Sequence, residues 1–578
     1  MIKNLFSSKI LFAVLDELFK VDGQSLTTIE FIKATGKNQA NIQRELDKLI
    51  SWDIVHKTQK GHQNNFSLNS QNYFYDSLKK VFTDYHSQQH KYVLLNEESG
   101  TCVLSVDYIL RAYIDDYGIK KGVLDKALDS IAVYRNDHGQ YYFDKETFER
   151  GATESLRRLL KDPSFVFETI LPESLAQGEE AQEIFKNLYR RNFKIPKSEA
   201  IDLFDRFLKI ISIQVSLNTI AVFDLKDQIF SNYLKEYLEK KIKRSNLNLS
   251  QVLECLLSPE KLTFTQILRI ELLKLALKNK NNQSSPVKEL TELQLRWGWL
   301  NYGYVGPGFD LAYFTQVFKE LKQKSVAVLK AEIDSLVHNE SETKKAKQKI
   351  YRQLGIDSSH QRFISALSLL SYLKIYRKDT AFLIFYAVYK IFAAILPDYK
   401  KSDLFNLTIK ESQDLLRGRL KVTSQELRER YKYCVYVCSE NLFLYGAEAD
   451  KYLKDRTEEE VIDSSVGNLK MLDGTAACLG KTGDWIYGEV KIINSVADMV
   501  KMKEGNILVS VATTPDILPA MKKAAAIVTD HGGITCHAAI VSRELNIPCL
   551  IATKYATKVF KDGDKVVVCP RHSYIKFQ

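Results

Sequence analysis

The 578 residues contain no C-x-x-C pair, no G-x-x-x-x-G-K-[ST] loop, no evident internal repeat and no long apolar run free of charge. Each absence narrows the function. There are eight cysteines, and Cys434 and Cys438 stand four apart with no second ligand pair nearby. That spacing argues against zinc and any other metal centre, and it suits free thiols in a reducing cytoplasm. Without the glycine–lysine loop there is no P-loop nucleotide site. The longest apolar run, residues 380–396, contains Lys390 and lies between Asp379 and Asp398. A buried core helix is expected there, and no membrane span. Ser7, Ser8 and Lys9 interrupt the first apolar residues, and Asp16 and Glu17 follow, a pattern unlike a secretory leader.

What is present is an ordinary globular composition, 45% hydrophobic and 26% charged, long enough for three or four domains. The net charge of +11 permits an acidic partner without requiring one.

Toward the C-terminus, residues 525–545 read as a short apolar strand, a Gly-Gly turn and a helix. Ala526, Ile527 and Val528 are too few and too β-branched for a helix. Gly532 and Gly533 allow positive φ and a close approach. Thr535 is the expected N-cap. The pattern puts His537 in the first helical turn, where free N–H groups and the helix dipole favour an anion. A neutral imidazole there is a candidate nucleophile; the alternative is a histidine with a purely structural role.

From Gly505 to Pro548 the chain resembles the swivelling phosphohistidine domain of the phosphoenolpyruvate-utilising enzymes. That family includes phosphoenolpyruvate synthase, pyruvate phosphate dikinase and rifampin phosphotransferase. The resemblance rests on Ile507-Leu508-Val509, Thr513-Thr514-Pro515-Asp516, Ala526-Ile527-Val528-Thr529, Gly532-Gly533, Thr535, His537-Ala538-Ala539-Ile540-Val541, Arg543-Glu544-Leu545 and Ile547-Pro548. It implies that His537 carries the phosphoryl group, supported by Gly532, Gly533, Thr535, Cys536, Arg543 and Glu544. Departures from the family pattern are Cys536 in place of the usual Ser, His531, the opening Gly474-Thr475-Ala476-Ala477-Cys478-Leu479-Gly480, and Cys569-Pro570 with Ser573.

At the other end, Ile10, Leu11, Val14, Leu15 and Leu18 form one apolar helical face. Residues 28–35 make a second helix stopped by Gly36. Asn38 caps a third, with Ile42, Leu46, Leu49 and Ile50 inward. Residues 54–57 and 65–68 alternate around Lys60-Gly61 as two strands of a wing. Residues 1–85 thus resemble the winged-helix domains of small prokaryotic transcription regulators. The resemblance implies that Asn38, Gln39, Asn41 and Arg44 face a major groove and that Lys57 and Lys60 touch phosphates. The 11 Lys and Arg against 9 Asp and Glu of this segment leave protein contact as an equal alternative.

The expected architecture is multidomain α plus α/β: a winged helix over 1–85, a mixed connector over 86–150, a helical domain over 151–455, a linker over 456–468 and the swivelling domain over 469–578. Within the helical region, residues 297–308, the run Tyr376-Arg377-Lys378-Asp379, and Leu407-Thr408 with Glu411 resemble the segment preceding the phosphohistidine domain in rifampin-phosphotransferase-like proteins. The aromatic-glycine loop 297–308 is either an acceptor-pocket wall or a packed turn. Arg377 either meets a phosphate or has a surface or capping role.

Neither the ATP-grasp domain nor the phosphoenolpyruvate barrel of the family has a counterpart in the sequence. The chain is therefore expected to bind no cofactor itself and to draw on Mg-ATP or phosphoenolpyruvate through a separate ATP-grasp partner. Two other readings stay open: a DNA-binding regulator switched by phosphorylation of His537, and a scaffold that has lost the chemistry.

Overall fold

The computed structural model describes the chain except residues 1–8, 22–23, 62, 81, 83–91, 116, 125, 137, 226–227, 244, 246, 282–285, 458–468, 481–484, 495, 514–516 and 534–535. The chain divides into two compact units, Met1–Lys91 and Tyr92–Gln578. Among the described residues no helix is long and apolar enough to cross a membrane.

The first unit has helices α1 (Lys9–Lys20), α2 (Thr28–Thr35) and α3 (Gln39–Ser51), with strands β1 (Leu26–Thr27), β2 (Val55–Lys60) and β3 (Gln63–Leu68) in the order β1-β3-β2. Local chemistry fixes the helix ends. Thr27 and Glu30 form a capping box, Gly36 closes α2 at φ 65°, and the Asn38 side chain accepts the Asn41 N–H. Leu11, Val14, Leu15, Phe31, Ile42, Leu46, Leu49 and Phe66 make a small separate core.

The second unit begins with β4 (Tyr92–Ser99), β5 (Ser130–Arg135) and β6 (His138–Asp144). These residues were expected to be a connector. They instead supply three strands of a five-stranded antiparallel sheet, β4-β6-β5-β7-β8, completed by β7 (Cys434–Val437) and β8 (Leu442–Leu444). The region 151–455 is therefore not wholly helical. Five of the six residues of β5 are buried, because it lies between β6 and β7. A strand covered on both faces shows no alternation, so the period-2 signal is absent.

The helices of this unit include α4 (Leu249–Leu257), α5 (Phe264–Lys278) and α6 (Ser358–Ile395). With 38 residues, α6 extends about 57 Å. It is buried along most of its length, as its apolar run predicts, with Phe382, Leu383, Ile384 and Phe385 in the core.

The C-terminal domain is an eight-stranded sheet in the order β10-β14-β13-β12-β11-β15-β16-β9. Its strands are β9 (Met471–Asp473), β10 (Thr475–Cys478), β11 (Ile486–Ile492), β12 (Ile507–Ser510), β13 (Ala526–Thr529), β14 (Cys549–Ile551), β15 (Lys565–Cys569) and β16 (Tyr574–Phe577). Strands β11 to β14 run parallel along β11-β12-β13-β14, and the outer pairs are antiparallel. Helix α7 (His537–Leu545) connects β13 to β14. One face of the sheet has its own core around Val490, Val509, Val528 and Val566. The other face, with Leu508, Ile527, Ala538 and Cys549, merges into the core of the helical body. Of the expected linker, residues 458–468 lie outside the described residues.

Candidate active site at the carrier helix

Strand β13 leads into Gly532, at φ 123°, and Gly533. A Cβ on Gly533 would sit 2.9 Å from the Asp224 carbonyl oxygen of the helical body. Glycine at this point lets the C-terminal domain touch the body at backbone distance. The Cys536 N–H then donates to the Gly533 carbonyl at 2.8 Å, and α7 begins. Its N-cap is Cys536, whose Sγ accepts the Ala539 N–H at 3.5 Å. The cap expected at Thr535 thus falls one residue later, because the first helical residue is His537. Thr535 itself lies outside the described residues.

His537 occupies the first position of α7, and its Nδ1 is 2.8 Å from Thr513 Oγ1. Burial, and then the positive charges of Lys378 and Lys374, push its imidazole down to about 3. The ring is therefore neutral at neutral pH. When Nδ1 holds the ring proton and donates to Thr513, Nε2 keeps its lone pair.

His537 lines a cavity of about 1010 Å³ between the C-terminal domain and the helical body. The carrier side contributes Thr513, His531, Gly532, Cys536 and Glu544. The body contributes Glu98, Tyr304, Lys374, Arg377, Lys378 and Asp379. Lys378 is ion-paired with Glu98. Lys374 Nζ, Arg377 Nη1 and Asp379 Oδ2 are enclosed without a hydrogen-bond partner. Burial pushes Lys374 down to about 8. Burial and the like charge of Glu544 push Asp379 up to about 8. Glu544 opens onto the cavity, yet surrounding protein pushes its carboxyl up to about 7, and Thr263 Oγ1 donates to it at 3.4 Å.

The other expected supporting residue, Arg543, is turned away from the cavity. Its Nε donates to the Ala477 carbonyl at 3.0 Å, both Nη atoms are enclosed and unpartnered, and Glu254 of α4 is the main favourable charge acting on it. The loop 297–308 is a packed turn and a cavity wall at once. Trp299 is buried with its Nε1 on the Arg296 carbonyl at 2.8 Å, while Leu300, Asn301 and Tyr304 face the cavity. Arg377 lies in the same wall. Sequence reasoning did not single out Lys374, Lys378, Asp379 or Thr513 as site residues. The available signal was four charges within six residues in the middle of a long, largely buried helix.

The candidate DNA-facing residues are not drawn into any comparable site. Asn38 is occupied as a cap, Arg44 Nη2 donates to Asn41 Oδ1 at 3.0 Å, and Gln39, Lys57 and Lys60 are exposed. Among the described residues no group of three or more His, Cys, Asp or Glu is placed to hold a metal ion.

Residues 502–572 match the family described as PEP-utilising enzyme, mobile domain. The chain is 53% identical over 115 residues to a probable phosphoenolpyruvate synthase of Archaeoglobus fulgidus, covering 20% of this chain and 15% of the relative. It is 59% identical over 81 residues to phosphoenolpyruvate synthase of Pyrococcus furiosus, covering 14% and 10%. With the Neisseria meningitidis phosphoenolpyruvate synthase it shares 33% identity over 171 residues, 26% of this chain and 21% of that one. The chain thus spans between a tenth and about a fifth of the length of these relatives. Residues 502–572, which hold His537, thus carry the mobile domain of the phosphoenolpyruvate-utilising enzymes.

Proposed function

We propose that this protein is a phosphotransfer component in which His537 takes a phosphoryl group and passes it to an acceptor held in the cavity of the helical body. The observation that carries the reading is the neutral imidazole of His537, anchored through Nδ1 by Thr513 and flanked by Lys374 and Lys378 in one cavity. On charging, Nε2 forms the P–N bond as the donor's P–O bond breaks, the donor oxygen leaves with the electron pair, and the imidazole gives up its proton. On transfer an acceptor oxygen forms the new P–O bond as the P–N bond breaks, and the acceptor's proton returns to the imidazole. Nearby cations offset the charge that spreads over the phosphoryl oxygens.

A cavity of about 1010 Å³ lies at the upper end of drug-sized ligand pockets. The acceptor that fits is correspondingly larger than a three-carbon acid. Charging falls to a separate ATP-grasp protein that holds Mg-ATP, and residues 456–468 serve as the tether of the moving domain. Mass spectrometry of the purified chain for acid-labile phosphohistidine tests this. ATP and Mg²⁺ alone should leave His537 unmodified, and adding the ATP-grasp partner should charge it. Autophosphorylation of the highly purified chain would refute the division of labour.

A second role is supported by the order α1-β1-α2-α3-β2-β3 in the first unit, with Lys57 and Lys60 exposed on its hairpin. That order fits a winged helix, and we read the unit as a DNA- or protein-contact module. If it reads DNA, binding should fall steeply with salt, and Arg44→Ala should weaken specific binding by about 1–3 kcal/mol. No retardation of genomic fragments at low salt leaves protein contact.

A further inference from the structure

Lys374 of α6 is an enclosed cation without a hydrogen-bond acceptor of its own. Its Nζ is enclosed and makes no hydrogen bond. The carboxylate acting on it from the body is Asp224, and that group is already committed. Asp224 accepts the Phe230 N–H at 2.8 Å, the Ser231 N–H at 3.0 Å and the Ser231 hydroxyl at 2.5 Å. Arg377 and Lys378 add further positive charge from the same helix. Lys378 has Glu98, but Arg377 Nη1 is also enclosed and unpartnered. From the carrier side, Lys374 faces Cys536 and His537, neither of which is anionic here, since burial raises the Cys536 thiol and the His537 ring is neutral. An enclosed ammonium whose N–H groups find no acceptor is costly. The interface between carrier and body therefore lacks an acceptor for Lys374 Nζ beside His537.

We propose that Lys374, with Arg377 beside it, binds the phosphoryl group carried on His537, so that the charged carrier docks on the helical body more tightly than the uncharged one. The inference rests on the carrier reading above and adds its regulation: charging drives docking, and loss of the phosphoryl group to the acceptor releases the domain. Lys374 is a positioning residue for the phosphoryl group, and it sets the direction of the swing. A dianion on Nε2 supplies the missing acceptor oxygens for Nζ and adds negative charge beside Lys374 and Arg377. The uncharged domain leaves Nζ unsatisfied each time it docks.

Docking is measurable through Cys478. It lies in β10, which packs on α4, and its thiol is buried against Glu254 of that helix. Burial, with Glu254 adding to it, pushes this thiol up to about 12, so alkylation requires the domain to leave the body.

The experiment treats the full chain with potassium phosphoramidate. The P–N bond of the reagent breaks, a P–Nε2 bond forms, and ammonia leaves with the proton the imidazole gives up. Peptide mass spectrometry then quantifies phosphate on His537 and the rate at which N-ethylmaleimide labels Cys478. Phosphorylation should slow that labelling about tenfold, the effect of one charge-assisted hydrogen bond. Lys374→Met should abolish the difference while labelling no faster than wild type when unphosphorylated, because the substitution removes the uncompensated cation. Lys374→Arg should restore the difference. A purely structural lysine would instead give faster labelling in both states of Lys374→Met. Stoichiometric phosphate on His537 with unchanged Cys478 labelling overturns the proposal and leaves the carrier reading intact. An unmodified His537 overturns both.

Discussion

Helices α3 and α7 make an instructive pair. Both begin with a side-chain cap, Asn38 in one and Cys536 in the other, and both present polar residues in the first turns. Around α3 those residues are exposed and already bonded to one another, as Arg44 is to Asn41. Around α7 they face enclosed groups on another element, and those groups are unsatisfied: Lys374, Arg377 and Asp379. A satisfied polar surface waits for a partner and costs little. An unsatisfied polar interior is maintained against a penalty, which is the physical mark of a site with work to perform.

The contrast can be broken by mutation. The largest expected effect is at His537: His537→Ala should eliminate phosphohistidine in the charging reaction, whereas His531→Ala should retain it, as measured by mass spectrometry. Next is Gly533→Ala. The new Cβ would meet the Asp224 carbonyl at 2.9 Å, and backbone cannot give way cheaply. Overpacking of this kind costs about 1–3 kcal/mol. Transfer to the acceptor should fall roughly tenfold or more while charging by the partner is unchanged, a difference that single-turnover kinetics would resolve.

Asp379 and Glu544 sharpen the contrast through pH. Both carboxyls are raised, to about 8 and about 7, so the docked, folded state binds more protons than the open one above the ordinary carboxylate range. Their contribution is present at acid pH and is lost as pH rises from about 4.5 through 7 to 8. Asp379→Asn should therefore stabilise the chain by about 1–3 kcal/mol at pH 8 and change little near pH 4.5, as read by thermal denaturation. A stabilisation equal at both pH values would mean that Asp379 is not ionising in place. The smallest effects belong to α3. Asn38→Ala should cost about 1 kcal/mol as a lost cap, and Arg44→Ala should stay within about 0.5 kcal/mol.

The sequence disclosed these regions unequally, and the reasons are physical. The turn at Gly532 and Gly533 and the start of α7 were legible because glycine and a helix terminus are local requirements. The strand at Ala526 was legible as a short β-branched run. The hairpin of β7 and β8 was hidden among helices, since pairing across some 300 residues leaves no local trace. The charged group on α6 was visible as letters, but its role depends on which way one long buried helix is turned. Only packing against α7 decides that. The cap fell to Cys536 rather than Thr535 for a similar reason: the helix starts where the turn from Gly533 ends.

The five-stranded sheet carries a consequence for biosynthesis. Its strand β5 is flanked by β6, made at nearly the same moment, and by β7, made hundreds of residues later. Tyr92, where the body begins, forms a parallel bridge to Thr457. At about 5–20 residues per second, the roughly 300 residues from β5 to β7 take about 15–60 s to make. Throughout that time β5 has an open edge of Ile131, Ala132, Val133 and Tyr134, a strand built for burial on both sides. The nascent chain must shield that edge or have it shielded, which makes the helical body, rather than the carrier domain, the place where a ribosome-bound chaperone has most to do.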